Sequence, residues 1–555
     1  MSESRIAQVV AVDEGLEVSR IDLTSPLPQD FPPHPPELER LSYLRYRRLD
    51  GPADSANADA ILVGHPGGLC GAHALDQVAR NTMHAAATRG RCIEWWSIAR
   101  RGDAAADHTG IDIARTAGDP DLAFDYYYRG RALDGRRFAG FATHRELRYT
   151  AELGIARAVL DQRELLVREL PDPRLRQRKL FLGGHSFGNF VTGAYTAWDF
   201  DGVPGYTDCA GVFGLDLLPV SDPYRLRTTP LVRTLARSAA GPHRLAVELL
   251  RRGLAPRVFP SFAEVLTFTT ILALDALSHP EAESDRLRQL PRTPAWEFTL
   301  RLWFARGYRE FRSGRPDPRE LRFTCRGLLA AWIARGHSPI SLFQIGVGDS
   351  PNRLLARTTF PAPEWAYRVP GLDRATTFAF GPGPRETPAD RNLLQDCPSG
   401  GWPVHLDELA RVIAGGPPGY ADTYFPLRLL ADGLFWAGAR DGDLASLRHE
   451  RGARALPRMT VLGDDSNPVL ILLHLGLLVP RNTVRAHGYT HFDVVAAHRP
   501  PSGEVVSDAL AEFIAAYTGR RDPRFIHSTA QARYGQKSRR SLDCLGQSTL
   551  WRDRR

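Results

Sequence analysis

The chain of 555 residues contains no run of about 20 apolar residues, the length that a membrane-spanning helix needs. Its first five residues are polar or charged for the most part and do not lead into the apolar stretch of a signal peptide. These two absences predict a cytoplasmic protein without a transmembrane segment. The composition, with 43% hydrophobic and 24% charged residues, is typical of an ordinary globular protein.

Cysteine is scarce, and no two cysteines are close enough to form a CxxC pair. The sequence therefore offers neither a zinc-binding pattern nor a redox motif, and we predict no metal centre. Isolated thiols of this kind are typical of buried, unreactive cysteines in a reducing compartment. The six positions are Cys70, Cys92, Cys209, Cys325, Cys397 and Cys544.

The chain also has no excess of acidic residues, and its net charge is +8. Most of this positive charge lies at the C-terminal end. Residues 519–555 contain ten Lys or Arg and three Asp, so the rest of the chain is close to neutral. The body therefore gives no indication of nucleic-acid binding. We predict a solvated, weakly ordered tail, with docking of this tail on an acidic partner or a membrane as the alternative.

What the chain does contain is an alternation of strand-like and helical segments in its first 220 residues. The alternating pattern at 41–46 predicts an edge strand. Short apolar runs predict further strands, and helical periodicity separates them. The runs are 60–63, 91–98, 179–182 and 208–215, with helices at 72–88 and 149–170. This order predicts a parallel sheet with helices on both faces.

The pattern changes after residue 220 and returns after residue 455. Between these points the chain is mainly helical and aromatic-rich, with connectors that contain many Pro and Gly residues. The predicted helices are 262–277, 295–311, 325–335 and 424–437, and the stretch 360–402 is predicted to be irregular. A strand at 458–463, a helix at 467–478, a strand at 483–486 and a helix at 505–517 then follow.

This organisation predicts a sheet domain that is interrupted by a large insertion and then completed. The predicted units are 1–58 with the first strands, 59–220 as the first half of the core, 221–455 as a helical cap, 456–518 as the second half of the core, and 519–555 as the tail.

A G-x-S-x-G motif lies between a predicted strand and a predicted helix, at residues 184–188. In this setting the serine sits on a sharp turn, and the flanking glycines avoid a clash between the strand and the helix. The turn exposes the hydroxyl of Ser186 and aims the N–H of Phe187 at a developing oxyanion. We therefore predict that Ser186 is a nucleophile.

A serine nucleophile needs a histidine that takes its proton and an acid that orients the histidine, in the chain order serine, acid, histidine. His491 follows the last predicted strand and precedes the last helix, so we select it. His487 is the rival, but it lies too close to the strand. Asp493 is interpreted as a helix N-cap or a brace for the loop.

Two places allow the acid, because both put a carboxylate at the carboxyl end of a strand, where sites of open α/β sheets form. Asp216 follows the strand that comes after the nucleophile helix, and the Asp464-Asp465 pair follows the strand at 458–463. We favour Asp216 and keep Asp465 as the alternative.

A second oxyanion donor is expected from the loop after the strand at 60–63. The sequence His65-Pro66-Gly67-Gly68-Leu69 provides a glycine turn whose backbone can approach a substrate closely. Gly68 is the first choice for the donor and Leu69 is the second.

Together these residues resemble the α/β-hydrolase superfamily. The resemblance is carried by the glycine turn at 65–68, the motif at 184–188 and the segment 488–493, and it covers about 59–219 and 456–518. The Tyr489, His491 and Asp493 pattern is similar to the histidine loop of some lipase-like members. Gly-Leu-Asp at 214–216 is similar to the segment that carries the acid in some lipases. In those lipases the acid follows the next strand after the turn that holds the nucleophile, which is called the nucleophile elbow.

The resemblance implies an α/β-hydrolase fold with a cap inserted between the strands, and carboxylesterase or lipase-like activity without a cofactor. Aromatic residues of the insertion are expected to form mostly cap core, with a minority lining an apolar tunnel above Ser186. The predicted partner is a small ester with an apolar acyl or aromatic group. An acyltransferase, a lactone or C–C hydrolase, and a non-catalytic binding protein are the alternatives, and the oligomeric state stays open.

Overall fold

The computed structural model describes residues 4–217, 219, 240–254, 262–305, 307–333, 345–347, 355–358, 377–380, 403–440, 442–464 and 483–518. Within these residues nine strands form the main sheet, and we number them along the chain. They are β1 Arg5–Asp13, β2 Leu16–Thr24, β3 Arg40–Arg48, β4 Ala60–His65, β5 Ile93–Ala99, β6 Leu180–His185, β7 Gly211–Leu215, β8 Arg458–Gly463 and β9 Thr483–Ala486.

The spatial order of the sheet is β1-β2-β3-β5-β4-β6-β7-β8-β9. The pairs β1–β2, β2–β3 and β3–β5 are antiparallel, and all pairs from β5 to β9 are parallel. In the register of the central strands, Gly184 pairs with Gly214 and His185 with Leu215. This register brings the carboxyl ends of β6, β7 and β8 to one edge of the sheet.

The prediction of an edge strand at 41–46 is wrong. β3 lies between β2 and β5 and is paired on both sides. The reason is a β-hairpin of β1 and β2 that the sequence pattern did not reveal, and this hairpin extends the sheet by two strands. β1 forms the actual edge, and most of its side chains are exposed.

Helices cover both faces of the sheet, as the sequence predicts. Strand side chains alternate between the faces, so that Leu62 packs in one core with Val78 and Leu510, whereas Ile61 and Val63 pack in another. The helices before β7 and after β9 are α1 Asp76–Ala87, α2 Thr109–Ala117, α3 Pro120–Arg129, α4 Ile155–Glu169, α5 Pro173–Lys179, α6 Gly188–Ala197, and the last two, α17 Asp493–Ala496 and α18 Val505–Tyr517.

Between β7 and β8 the described residues contain ten further helices. These are α7 Ala240–Arg251, α8 Phe262–Ser278, α9 Arg286–Gln289, α10 Pro294–Phe304, α11 Tyr308–Ser313, α12 Cys325–Ile333, α13 Leu406–Ile413, α14 Leu427–Leu434, α15 Trp436–Arg440 and α16 Glu450–Ala455. α8 packs against α3, α12 and α13, and α16 packs against α6. The residues between β7 and β8 therefore contact helices that precede them in the chain.

Two helices predicted in this region are each divided. The stretch 295–311 is α10 and α11, separated where Gly307 is fully extended with φ of −179°. The stretch 424–437 is α14 and α15, because Pro426 precedes α14 and Phe435 leaves helical geometry between them. The helix predicted at 467–478 and the basic tail at 519–555 lie outside the described residues. The part of the stretch 360–402 that is described is Thr377–Phe380, and the prediction of an irregular segment is wrong there, because these residues form a strand antiparallel to Leu355–Thr358.

Among the described residues, no helix is both long and apolar enough to cross a membrane. Cys70, Cys92, Cys209 and Cys325 are free thiols, and the remaining two cysteines lie outside the described residues.

Candidate active site

Ser186 occupies a sharp turn between β6 and α6. Its φ of +49° is in the left-handed region, which costs a residue other than glycine of the order of 1–3 kcal/mol. The conformation is fixed by neighbouring backbone, since the N–H of Ser186 donates to the carbonyl of Leu215 at 2.9 Å. Its own carbonyl accepts from the N–H of Asn189 at 3.0 Å. The turn therefore has the strained geometry predicted for a nucleophile elbow.

The two glycines of the motif are needed because backbone approaches them closely. A Cβ atom at residue 188 would lie 2.3 Å from the carbonyl oxygen of His65. A Cβ at residue 184 would lie 2.4 Å from the carbonyl carbon of Gly188. Backbone atoms cannot move aside as a flexible side chain can, so any larger residue would displace β4 or α6 from the elbow.

Asp216 and His491 are joined by a hydrogen bond of 2.5 Å between Oδ2 and Nδ1. Asp216 directly follows β7 and is fully buried. Its Oδ1 accepts from the N–H of Gly463 at 2.7 Å, and its own N–H donates to the carbonyl of Val461 at 2.8 Å. β8 thus holds the carboxylate in place, and the carboxylate holds the imidazole.

The loop that carries His491 is braced by Asp493. The carboxylate of Asp493 is buried and accepts from the N–H groups of Thr490 at 2.8 Å and Gly346 at 2.7 Å. Asp493 is the first residue of α17, and Phe492 occupies the N-cap position. The interpretation as a loop brace is therefore confirmed, whereas the interpretation as an N-cap is wrong.

Burial sets the protonation of the two histidines at the site. Removal from water lowers the pKa of His491, which keeps the ring neutral and able to accept a proton. Its Nδ1 faces the carboxylate, so the proton belongs on Nδ1 and Nε2 is the basic nitrogen. Burial also lowers the pKa of His185 to about 3. This ring, 4.6 Å from that of His491, donates from Nε2 to the carbonyl of His491 at 2.9 Å.

The rival residues form a separate pair. Nδ1 of His487 bonds to Oδ2 of Asp464 at 2.6 Å, and Oδ1 of Asp464 accepts from the N–H of Gly488 at 2.6 Å. The side chain of His487 is 67% exposed. Asp465, the alternative acid, lies outside the described residues. The structure therefore joins Asp216 to His491 and joins Asp464 to His487.

The glycine turn lies against the elbow, and in the structure it spans residues 66–70. A Cβ at residue 67 would be 3.3 Å from Cβ of Ser186, and one at residue 68 would be 3.9 Å from Cβ of Phe187. The turn is closed by a bond of 3.3 Å from the N–H of Cys70 to the carbonyl of Gly67. Within the described part of the chain, the N–H groups of Gly68, Leu69 and Phe187 donate to no acceptor. Unbonded donors on both sides of the serine are what an oxyanion hole requires.

Apolar rings lie beside the serine. The ring of Phe187 is in edge contact with Phe190 at 5.2 Å and with Phe425 at 6.1 Å between centroids. A Cβ at Gly433 would lie 2.8 Å from the Phe187 ring, so α14 packs closely on the elbow. The residues between β7 and β8 therefore contribute an apolar wall next to Ser186. Other aromatic side chains of this region, such as Trp296, pack on one another as core.

Two histidines and a glutamate, a combination of residues that can bind metal ions, lie together where α13 begins. Nδ1 of His498 bonds to Glu408 at 2.8 Å, and Nδ1 of His405 lies 3.5 Å from the same carboxylate. The two imidazoles are stacked with centroids 3.6 Å apart and planes at 14°. Because nitrogen lone pairs lie in the ring plane, those of two nearly parallel rings do not converge on one ion.

Two residues of the site were not predicted from the sequence. His185 bonds the carbonyl of His491, and Arg100 bonds the carbonyl of Gly67. His185 is the variable residue of the motif, and Arg100 follows β5 as the first of two arginines. Their contacts join residues that are 30 or more positions apart, so a single sequence carries no signal for them.

The topology and the elbow decide the identity of the fold. Apart from β1, the sheet runs β2-β3-β5-β4-β6-β7-β8-β9, with only β3 antiparallel to both of its neighbours. The serine follows the fifth of these strands and the histidine follows the last. The chain has the α/β-hydrolase fold.

No family model matches the sequence, and no curated protein matches it. Solved structures of hydrolases align with it at low similarity. The peroxisomal α/β-hydrolase Lpx1 from Saccharomyces cerevisiae is 10% identical, with 97% of this chain and all of that chain covered and a TM-score of 0.33. The juvenile hormone epoxide hydrolase from the silkworm Bombyx mori is 11% identical, with 93% and 78% covered and a TM-score of 0.30. The chain's own strand order and elbow, and not these alignments, identify its fold.

Proposed function

We propose that this α/β-hydrolase-fold chain is a serine hydrolase that cleaves carboxylic esters through an acyl-enzyme on Ser186. The observation that carries the proposal is the bond of 2.5 Å between Asp216 and His491 at the same sheet edge as the strained serine. A buried carboxylate that fixes the tautomer of a neutral histidine makes the other nitrogen a base for a serine hydroxyl.

In the proposed reaction, Oγ of Ser186 attacks the ester carbonyl while Nε2 of His491 takes the hydroxyl proton. Asp216 stabilises the imidazolium that forms, and the N–H groups of Phe187 and Gly68 stabilise the negative charge on the tetrahedral oxygen. Collapse of this intermediate breaks the ester C–O bond, and His491 returns its proton to the leaving alkoxide. Water then attacks the acyl-enzyme by the same route, which releases the acid and restores Ser186.

The neutral state of His185 supports this cycle. When His491 becomes positively charged, a second charge on a ring 4.6 Å away would oppose it. Burial keeps His185 uncharged, so the adjacent ring adds no repulsion to the imidazolium.

The surroundings of Ser186 favour an uncharged, apolar substrate. Phe187 follows the nucleophile in the chain, the ring of Phe425 is in edge contact with it, and neither side chain carries a charged or hydrogen-bonding group. We infer an ester with an apolar acyl or aromatic group. A panel of p-nitrophenyl esters from acetate to palmitate measures the preferred acyl length, and product analysis with added alcohols distinguishes transfer to water from transfer to another acceptor.

Labelling with a fluorophosphonate tests the mechanism. The folded protein is expected to carry the label on Ser186, and Ser186→Ala is expected to lose both the label and ester hydrolysis. Ser507→Ala is the matched control, because Ser507 is a buried serine in α18 whose hydroxyl donates to the carbonyl of Glu504, and its replacement is expected to leave labelling unchanged. Absence of label on folded wild-type protein, or full ester hydrolysis by Ser186→Ala, would contradict the proposal.

A further inference from the structure

The glycine turn beside Ser186 is held by its carbonyl oxygens. The guanidinium of Arg100 donates from Nη2 to the carbonyls of Pro66 and Gly67, the latter at 2.8 Å, and from Nη1 to the carbonyl of Cys70 at 2.8 Å. One side chain therefore engages three carbonyls within five consecutive residues. Because a guanidinium is planar and presents its donors in a rigid fork, these bonds fix the turn in more than one direction.

Arg100 is itself fixed on several sides. It is 8% exposed, its Nη1 lies 3.4 Å from Oδ2 of the buried Asp422, and its Cζ lies 5.1 Å from the centroid of the Phe425 ring. Asp422 supplies the compensating charge that a buried arginine requires. The guanidinium therefore has a single well-defined position below the turn.

The same segment that carries Asp422 also bonds the turn through its backbone. The N–H of Asp422 donates to the carbonyl of Leu69 at 2.9 Å, and the N–H of Gly71 donates to the carbonyl of Tyr420 at 2.7 Å. An antiparallel bridge joins Cys70 to Ala421. The segment 419–422 is thus joined to the turn like a short strand.

These bonds determine where an N–H of the turn points. In a planar trans peptide, the carbonyl of one residue and the N–H of the next point in opposite directions. The bond from Arg100 to the carbonyl of Gly67 therefore fixes the direction of the Gly68 N–H. The carbonyl of Gly68, which would fix the N–H of Leu69 in the same way, receives no bond from Arg100. Of the two candidate donors, Gly68 and Leu69, Arg100 therefore anchors Gly68.

We propose that Arg100 is a positioning residue that fixes the Gly67–Gly68 peptide plane and thereby presents the Gly68 N–H as the second oxyanion donor. This inference rests on the proposed serine-hydrolase function. Arg100 acts through the turn and does not touch the substrate. Its loss is expected to lower the stability of the transition state and to leave ground-state binding of the ester almost unchanged, because the oxyanion forms only during the reaction.

The neighbouring Arg101 provides a matched control. It is also buried, at 5% exposed, and it donates to the carbonyls of Ser25 and Leu38 and to the carboxylate of Asp161. These bonds tie the segment before β3 to α4, and none of them reaches the glycine turn. Arg101→Lys therefore reports what the loss of a buried arginine does to folding alone.

The experiment compares Arg100→Lys with Arg101→Lys. A lysine retains the charge but has a single nitrogen, so it cannot bond the carbonyls of Gly67 and Cys70 in the same fork geometry. We expect Arg100→Lys to lower kcat on a p-nitrophenyl ester by about tenfold or more, with KM changed by less than about twofold, and to slow fluorophosphonate labelling in proportion to kcat. Arg101→Lys is expected to lower the melting temperature by a similar amount while kcat per folded molecule stays within about twofold of wild type.

The outcomes separate the two proposals. Equal kcat in both variants, or a rise in KM alone for Arg100→Lys, overturns the role of Arg100. In either case an active wild-type protein still supports the proposed serine-hydrolase function. A folded wild type without label or ester hydrolysis overturns both. If Arg100→Lys does not fold, Asp422→Asn removes the charge partner and keeps the arginine. Its kcat is then expected to fall by about threefold or more, and an unchanged kcat overturns the inference.

Discussion

Replacing Asp216 by asparagine keeps the size of the side chain and removes its charge. Among its partners in the described residues, the carboxylate accepts from Nδ1 of His491 at 2.5 Å through Oδ2 and from the N–H of Gly463 at 2.7 Å through Oδ1. An amide has only one oxygen, and the two donors face different oxygens of the carboxylate, so the amide cannot accept from both in this geometry. If the oxygen faces Gly463, the NH₂ group faces His491 and forces the ring proton onto Nε2, which then cannot accept from Ser186.

If the amide is turned the other way, the NH₂ group faces the backbone N–H of Gly463, and two buried donors oppose each other. Leaving a buried donor unsatisfied costs about 1–3 kcal/mol, so the first orientation is expected. The wrong tautomer, together with the lost charge beside the imidazolium, predicts a decrease in kcat of about 10³–10⁴-fold. At about 1.4 kcal/mol per factor of ten, this corresponds to about 4–6 kcal/mol of transition-state stabilisation.

The measurement is kcat and KM on a p-nitrophenyl ester, with the melting temperature taken on the same samples. Asp464→Asn is the control, since Asp464 also bridges a histidine Nδ1 and a backbone N–H, at 2.6 Å each, but its histidine is exposed. We expect Asp464→Asn to remain within about threefold of wild type. A folded Asp216→Asn within tenfold of wild type, or an equal loss in Asp464→Asn, would refute the assignment of the acid.

Three further outcomes are expected. Burial lowers the pKa of His491, and only the neutral ring accepts a proton. On the acid side of the pH profile, kcat/KM should therefore decrease with an apparent pKa below the ordinary histidine pKa of about 6.5. An apparent pKa of 7 or above would contradict this. Gly188→Ala should lower the melting temperature and abolish hydrolysis, because the added Cβ would meet the backbone of His65. Gly241→Ala should do neither, because the space around Gly241 is open. Equal melting temperatures of the two variants would refute the steric argument. Deletion of residues 519–555 should leave hydrolysis of small esters intact, and complete loss of activity would show that the tail contributes to the site.

The strand–turn–helix around Ser186 could be predicted because all of its parts are adjacent in the sequence. An apolar strand, two small residues around the turn and the start of a helix lie within about 20 positions, and each follows local rules of backbone geometry. The last strand at 483–486 and the last helix at 505–517 have the predicted bounds for the same reason. His491 followed from its place between them.

The position of β3 could not be predicted in the same way. Its alternating pattern is compatible with an edge or an interior antiparallel strand, and the choice depends on whether another segment pairs with it. The hairpin of β1 and β2 supplies that segment. The divided helices have a different cause, since a few residues with extended or irregular backbone, such as Ala305 and Gly307 in one and Phe435 in the other, interrupt otherwise helical patterns.

The sequence by itself determined the position of the elbow and the order of the candidate residues along the chain, because these depend on local backbone geometry and on strand succession. It favoured Asp216 for the acid but kept Asp465 as the alternative, since each follows a strand that ends at the same sheet edge. Only the tertiary structure joined Asp216 to His491 across 275 positions. It alone also placed Arg100 beneath the glycine turn and next to Asp422, because these contacts depend on which strands are neighbours and on how the residues between β7 and β8 fold back.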